Sequence, residues 1–371
     1  MKILIVGGGI IGCAAALELA KAGCAVTLLE RAMPGSEASG AAAGLLAPIG
    51  GESANTAFAA LALESWRRYP EVVRDLHERT GIDVEYVTRG TIYPLSTAED
   101  VRNAEARLRH DWAREVGVEA WDAGDVRSRE PALSSDIRGA MFVRGDHWVN
   151  TQRLVVAYAQ AAAAAGVAVM TGVAVSRIVV EDGHARGVVA DGEPYEADAV
   201  LLAAGAWTGA LAASFGGRLR VEPRRGQMVA LGHVPSVLTH TIHGDDVYLI
   251  PRPSGELLIG ATVEKVGFQR TVTAAGVGGL LTAAMRLVPG IAQLPITRTW
   301  YGFRPWAPDS LPILGPWPGI EGLFIATAHY RNGILLAPVT ARLMTEWMTH
   351  GRPSLDVKDF LPNRFVKDRR S

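Results

Sequence analysis

Gly7, Gly9 and Gly12, spaced as G-x-G-x-x-G, and Glu30 downstream of them form a set able to hold a dinucleotide. Glycines at these positions permit a tight turn and let backbone N–H groups approach a pyrophosphate at a helix N-terminus. A carboxylate closing the next strand accepts hydrogen bonds from ribose hydroxyls. An acidic residue there favours a free 2'-hydroxyl, and so FAD or NAD over NADP. A second set lies late in the chain, in AHYRNGILLAP at 328–338, where Arg331 and Asn332 stand between an aromatic and a glycine. That stretch reads as a buried strand turning into a helix, which would aim backbone donors and a positive dipole end at whatever lies before it.

The elements that must position these residues are legible. ILIV at 3–6, the glycine turn, an Ala-rich helix ending near Lys21 and AVTLLE at 25–30 make a βαβ opening. Residues 35–51 form a Gly/Ala/Ser loop long enough to be functional, and 54–80 read as a helix. Strands at 84–95 and 139–150 around a charged helix at 97–116 suggest a second domain. TQRLVVAYAQAAAAAG reads as a helix capped by Thr151 and closed by Gly166. Strands follow, then ADAVLLAAGAWTG at 197–209, where the chain rejoins the first domain. Residues 221–264 are strand-rich, 272–289 helical, TRTWYGFRP a further strand, and GLFIATAH a strand leading into a helix at 334–350. The expected class is therefore α/β (α+β), with both domains discontinuous.

Composition narrows the function. Among 371 residues, 37 basic and 38 acidic side chains give a net charge of -1, which leaves no electrostatic footprint for nucleic acid or an anionic membrane. The two cysteines, Cys13 and Cys24, exclude a disulfide scaffold and lack metal-binding spacing; they fit a reduced, cytoplasmic setting. The uncharged run after Lys2 superficially resembles a signal peptide, but three consecutive glycines and Glu18 argue for strand, turn and helix. Glycines within 199–217 likewise argue against a membrane span.

Four blocks carry a specific resemblance: IVGGGIIG at 5–12, AAAGLL at 41–46, YLIPRPSGELLIGAT at 248–262, and YGFRP at 301–305 with HYRNGILLAP at 329–338. They resemble the FAD-dependent amino acid oxidases of the D-amino acid oxidase superfamily, and within it the glycine oxidases of thiamine biosynthesis. The resemblance implies a Rossmann-like FAD-binding domain (1–82, 146–219 and 306–371) and a substrate domain built on an antiparallel sheet (83–145 and 220–305). Noncovalent FAD is implied, because related sarcosine oxidases tether the flavin to a cysteine in the C-terminal half and this chain has none there. Expected cofactor contacts, besides the glycines, are Ile10, Ile11, Glu30, Arg31, Ala38, Ser39, Ala43, Gly44, Leu45 and Val175. The segment His329, Tyr330, Arg331, Asn332, Gly333, Ile334 and Leu335 is expected beside the isoalloxazine.

By the same resemblance Arg304 grips the substrate carboxylate, Tyr248 hydrogen-bonds to it, and Arg331 borders the amine. A planar guanidinium suits a carboxylate, since it binds in a bidentate fork. The competing reading of Arg304 is an ion pair with Asp309, and that of Tyr248 an ordinary core aromatic. His329 reads more readily as a satisfied structural group than as an acid or base. Ala328 stands where the family has glycine, and Asp246 and Val263 where a glycine oxidase has histidine and methionine, which puts substrate preference in doubt. The expected partners are a small amino acid and oxygen, and homo-oligomers are common in the family. Rival readings are a dehydrogenase that passes electrons to a quinone or partner subunit, and a dinucleotide-binding subunit without turnover.

Overall fold

The computed structural model describes residues 1–48, 56–108, 110–232 and 237–365. The chain divides into two compact units, one of residues 1–85, 150–224 and 303–371, the other of residues 86–149 and 225–302.

In the first unit β1 (Lys2–Val6), α1 (Ile10–Lys21) and β2 (Ala25–Glu30) form the expected βαβ turn. The sheet order is Ile313–Pro316, Leu323–Thr327, Ala199–Leu202, β1, β2 and Ala168–Thr171. Its pairings are parallel except that between Ile313–Pro316 and Leu323–Thr327. β1 is buried from Ile3 to Val6, as expected of a central strand covered on both faces. Cys13 to Ala16 are all at 0% exposure, because their small side chains let α1 pack against the helices Thr151–Ala164 and Gly333–His350.

The second unit is built on an eight-stranded sheet in the order Ile296–Trp306, Glu222–Gly232, Glu256–Gly260, Tyr248–Pro251, Thr241–His243, Thr91–Leu95, Gly139–Val143 and Val118–Asp122. From Glu222–Gly232 onward neighbours run antiparallel, save the parallel pair of Thr241–His243 with Thr91–Leu95. One face carries the apolar core, with Ile92, Val229, Ile242, Leu249 and Ile259 packed against Leu280 and Ala284 of the helix Ala274–Leu287. Alternation along the strands sends Thr91, Tyr93, His243 and Tyr248 to the other face.

Several boundaries differ from the sequence reading. The helix cap is Asn150, whose side chain accepts from the Arg153 N–H; Thr151 is already helical and its hydroxyl donates to the Ala42 carbonyl. The charged helix at 97–116 is two helices, Ala98–Arg107 and Asp111–Val116, the second ending in a left-handed Gly117. Residues 84–90 form no strand; Val87 bridges Trp148, and the Val84 carbonyl accepts from the Asn150 N–H. Glu85 and Gly90 both have positive φ there, which no continuous strand accommodates. In the Gly/Ala/Ser loop a short helix spans Ala38–Ala41 and Leu45–Leu46 is extended; its last residues, and the expected helix start at 54, lie outside the described residues.

Candidate active site

Steric demand explains the glycine turn. Gly7 has φ +110 and a Cβ there would stand 2.6 Å from the Ala203 carbonyl oxygen, while a Cβ on Gly12 would stand 1.9 Å from the carbonyl oxygen of Gly7. Gly9 caps α1 without a side-chain hydrogen bond, so the first-turn N–H groups are presented to the turn. Ser39 Oγ takes the N–H of Ile10 at 3.0 Å, tying the small-residue loop to the helix N-terminus.

Glu30 is fixed rather than merely nearby. Its two carboxylate oxygens accept from the Gly8 N–H at 2.7 Å and the Ala32 N–H at 2.9 Å, which leaves further lone pairs for hydroxyl donors. The guanidinium of Arg31 stacks 3.9 Å over Trp207 and pairs with Glu37 at 2.7 Å. Val175 opens a strand two residues beyond Val173, whose N–H donates to the Glu30 carbonyl. Ala43 is buried, and Gly44 has φ +84. Turn, anchored carboxylate and glycine-capped helix N-terminus thus fit the adenosine diphosphate portion of FAD. Cys13 donates its thiol to the Gly8 carbonyl, and burial, with Glu30 as a lesser cause, pushes it up to about 12, so it is not a reactive thiolate.

The late motif is a strained turn at the head of a helix. Ala328 and Tyr330 have φ of +58 and +50, a conformation that L residues adopt only when their surroundings impose it. The Tyr330 N–H donates to the Pro305 carbonyl and the Asn332 N–H to the His329 carbonyl. Gly333 begins the helix, which Asn332 caps without a side-chain bond. His329 is 3% exposed, shares a hydrogen bond with the Thr340 hydroxyl, and is driven down to about 3 by burial. It is neutral at ordinary pH and not a general acid. Arg331 is exposed, with its guanidinium near the Tyr330 ring.

Two residues absent from the sequence reading hold this helix. Pro338 lies inside it and has no N–H to give the Ile334 carbonyl. The Tyr69 hydroxyl, from the long helix Thr56–Thr80, donates to that carbonyl instead, and Ser65 Oγ donates to Leu335 O while accepting from Val339 N. The proline was a signal that some donor must exist, but not which. Tyr69→Phe is expected to cost about 1–3 kcal/mol by leaving a buried carbonyl unpaired, and to loosen residues 329–335. Thermal melting together with the FAD dissociation constant checks this; an unchanged melting temperature would show that the carbonyl finds another donor.

Arg304 lies near the end of the strand Ile296–Trp306, partly buried, immediately before Pro305. The Pro305–Tyr330 hydrogen bond joins its strand to the HYRNG turn. Asp309 pairs with Arg364 at 2.7 Å. Tyr248 stands in the second unit, opposite Gly260, with its hydroxyl 3.3 Å from Met228 Sδ. A Cβ on Gly260 would come 2.7 Å from that hydroxyl, so the glycine makes room for it. Asp246 lines a cleft of about 440 Å³ with Thr262 and Arg286, and Val263 is exposed.

A model of the DAO family, described as FAD dependent oxidoreductase, matches residues 2–347. The chain belongs to this family. It is an FAD-dependent oxidoreductase. A glycine oxidase of Geobacillus kaustophilus is 37% identical over 98% of this chain and 97% of its own. The crystal structure of the glycine oxidase from that species superposes with a TM-score of 0.92, covering 98% of both chains at 36% identity. The bifunctional protein ThiO/ThiG of Trichormus variabilis is 35% identical over 98% of this chain but 55% of its own length, so the chain spans about half of that relative. The hydrogen cyanide synthase subunit HcnC of Pseudomonas aeruginosa is 33% identical over 98% of this chain and 96% of its own. No described helix is long and apolar enough to cross a membrane.

Proposed function

We propose that this FAD-dependent amino acid oxidase converts glycine, and with it sarcosine and small D-amino acids, to the corresponding imine. The imine from glycine serves thiamine thiazole synthesis or hydrolyses to glyoxylate and ammonia, and oxygen is reduced to hydrogen peroxide. The observation that carries the reading is the backbone bond from Tyr330 to Pro305, which places Arg304 and Arg331 on two directly joined segments. The glycine oxidase relatives supply the substrate class.

Bound FAD supplies the two-electron acceptor for the α-carbon hydrogen. The chain's own part is orientation. Arg304 takes the carboxylate in a bidentate fork, Tyr248 donates a hydroxyl to the same group, and Arg331 borders the amine; holding the reacting carbon in place accounts for much of the rate. Backbone N–H groups at the head of the helix Gly333–His350 favour negative charge developing before them. No protein base is required when the amine binds neutral, which accords with a neutral, hydrogen-bonded His329. The cofactor is held noncovalently.

Glycine added without oxygen is expected to bleach the flavin absorption band of the purified protein, and air to restore it with peroxide formation. A yellow protein unaffected by glycine would overturn the glycine assignment. The similarity to HcnC favours a second reading, a dehydrogenase that passes electrons to another acceptor. Bleaching by glycine followed by slow recovery in air and rapid recovery with a quinone would support it.

A further inference from the structure

The polar face of the eight-stranded sheet carries an unbroken row of groups that leads to Tyr248. Thr91 and Thr241 are register partners on parallel strands, and two residues on along each strand Tyr93 and His243 lie with ring centroids 5.1 Å apart. His243 is in turn the register partner of Tyr248 at 6.0 Å between rings. At the far end Asp146, in the turn after the strand Gly139–Val143, accepts the Tyr93 hydroxyl on Oδ2 at 2.5 Å. Asp146 is 1% exposed, and among the described residues its Oδ1 has no hydrogen-bond partner; the hydroxyl of Thr241, the register partner of Thr91, is likewise buried without one.

A buried carboxyl with one oxygen unpaired is costly in any protein, and costlier when ionised. Resting on the reading that Tyr248 touches the substrate carboxylate, we propose that Asp146 is a positioning residue for substrate. Through Tyr93 and His243 it sets the charge behind Tyr248: neutral, it lets the row receive a carboxylate, and ionised, it repels one. Burial pushes Asp146 up to about 7 against the lowering pull of the Tyr93 and Thr91 hydroxyls, so the change falls within the working range.

The ionisable side chains flanking Asp146 along the chain are His147 and Arg144. His147, bonded to Tyr86, is held neutral by burial, which brings it down to about 4. Arg144 faces Glu119, and Arg252 stacks on Trp148 while donating to the Val149 carbonyl. The Tyr248 hydroxyl lies 3.3 Å from the Met228 thioether, a weak acceptor.

The test is the ratio of the glycine KM of the Asp146→Asn holoenzyme to that of the parent, measured between pH 6 and 8.5, which cancels titration of glycine itself. The expected ratio is close to 1 at pH 6 and falls about threefold to tenfold by pH 8.5, the effect of one buried charge acting through a weakly screening interior. Tyr93→Phe, which removes a hydrogen bond that favours the ionised form, should move the midpoint of the parent's KM rise to higher pH. Stability gives a readout independent of turnover. A carboxyl raised on folding loses its stabilising contribution as pH climbs from its unfolded value to its folded one. The melting temperature of Asp146→Asn should therefore gain on the parent from pH 4 to 7 and hold level above. A flat KM ratio, or a melting difference independent of pH, overturns the proposal. Tyr248→Phe separates the two levels: an unchanged KM there removes the underlying reading, whereas a raised KM beside a flat Asp146→Asn ratio removes the role of Asp146 alone.

Discussion

Arg304→Ala is expected to raise the KM for glycine by about 10- to 100-fold, corresponding to the roughly 1.5–3 kcal/mol of a hydrogen bond to a charged group. The maximal rate should fall as well, because a substrate no longer gripped at its carboxylate loses the orientation on which hydrogen transfer depends. The flavin spectrum should stay close to the parent's, because the side chain is assigned to substrate and not to the cofactor. Arg304→Lys keeps the charge but not the planar fork, and should recover only part of the loss. Steady-state kinetics with glycine decides the matter; an unaltered KM in Arg304→Ala would mean that the carboxylate is held elsewhere.

Gly12→Ala has the largest expected effect on the cofactor. Its methyl would stand 1.9 Å from the Gly7 carbonyl oxygen, a backbone atom of a residue itself held at φ +110. Neither side yields cheaply, so β1 and α1 must separate, at a cost on the order of 3 kcal/mol. The purified variant should carry a small fraction of the parent's FAD and melt several degrees lower. Gly290→Ala is the control, since nothing lies within 4 Å of its added methyl and it should behave as the parent does. Flavin content from absorbance, set against protein concentration, reads the result. Full flavin occupancy in Gly12→Ala would show that the turn adjusts, and that its glycines are not what holds the pyrophosphate.

The cradle was legible in the sequence because its requirements are local. Gly7, Gly9, Gly12 and Glu30 all belong to one strand–helix–strand unit, and the spacing that permits the turn also fixes where the carboxylate emerges. The α/β class was readable for a similar reason, since short apolar runs alternating with Ala-rich segments leave few arrangements that bury both. Caps were less secure. Asn150 and Thr151 are adjacent and both able to cap, and only the chain's approach to the helix chose the first.

What the sequence could not determine depends on register and distance along the chain. Ser39 reaches Ile10 from 29 residues away, and Tyr69 reaches Ile334 across a separation of 265. Pro338 announced a missing donor, yet its replacement came from another helix, chosen by how the two pack. The row from Asp146 to Tyr248 is assembled from three non-contiguous segments, and it exists because Thr91–Leu95 pairs parallel with Thr241–His243 in one register. A slip of one residue in either strand would send its member of the pair, Tyr93 or His243, into the apolar core. By itself the sequence determined the cofactor class and the turn that receives it, because those follow from neighbouring residues. Only the tertiary structure decided which carboxyl is buried behind Tyr248 and which hydroxyls brace the last helix, because burial and pairing belong to the packed chain.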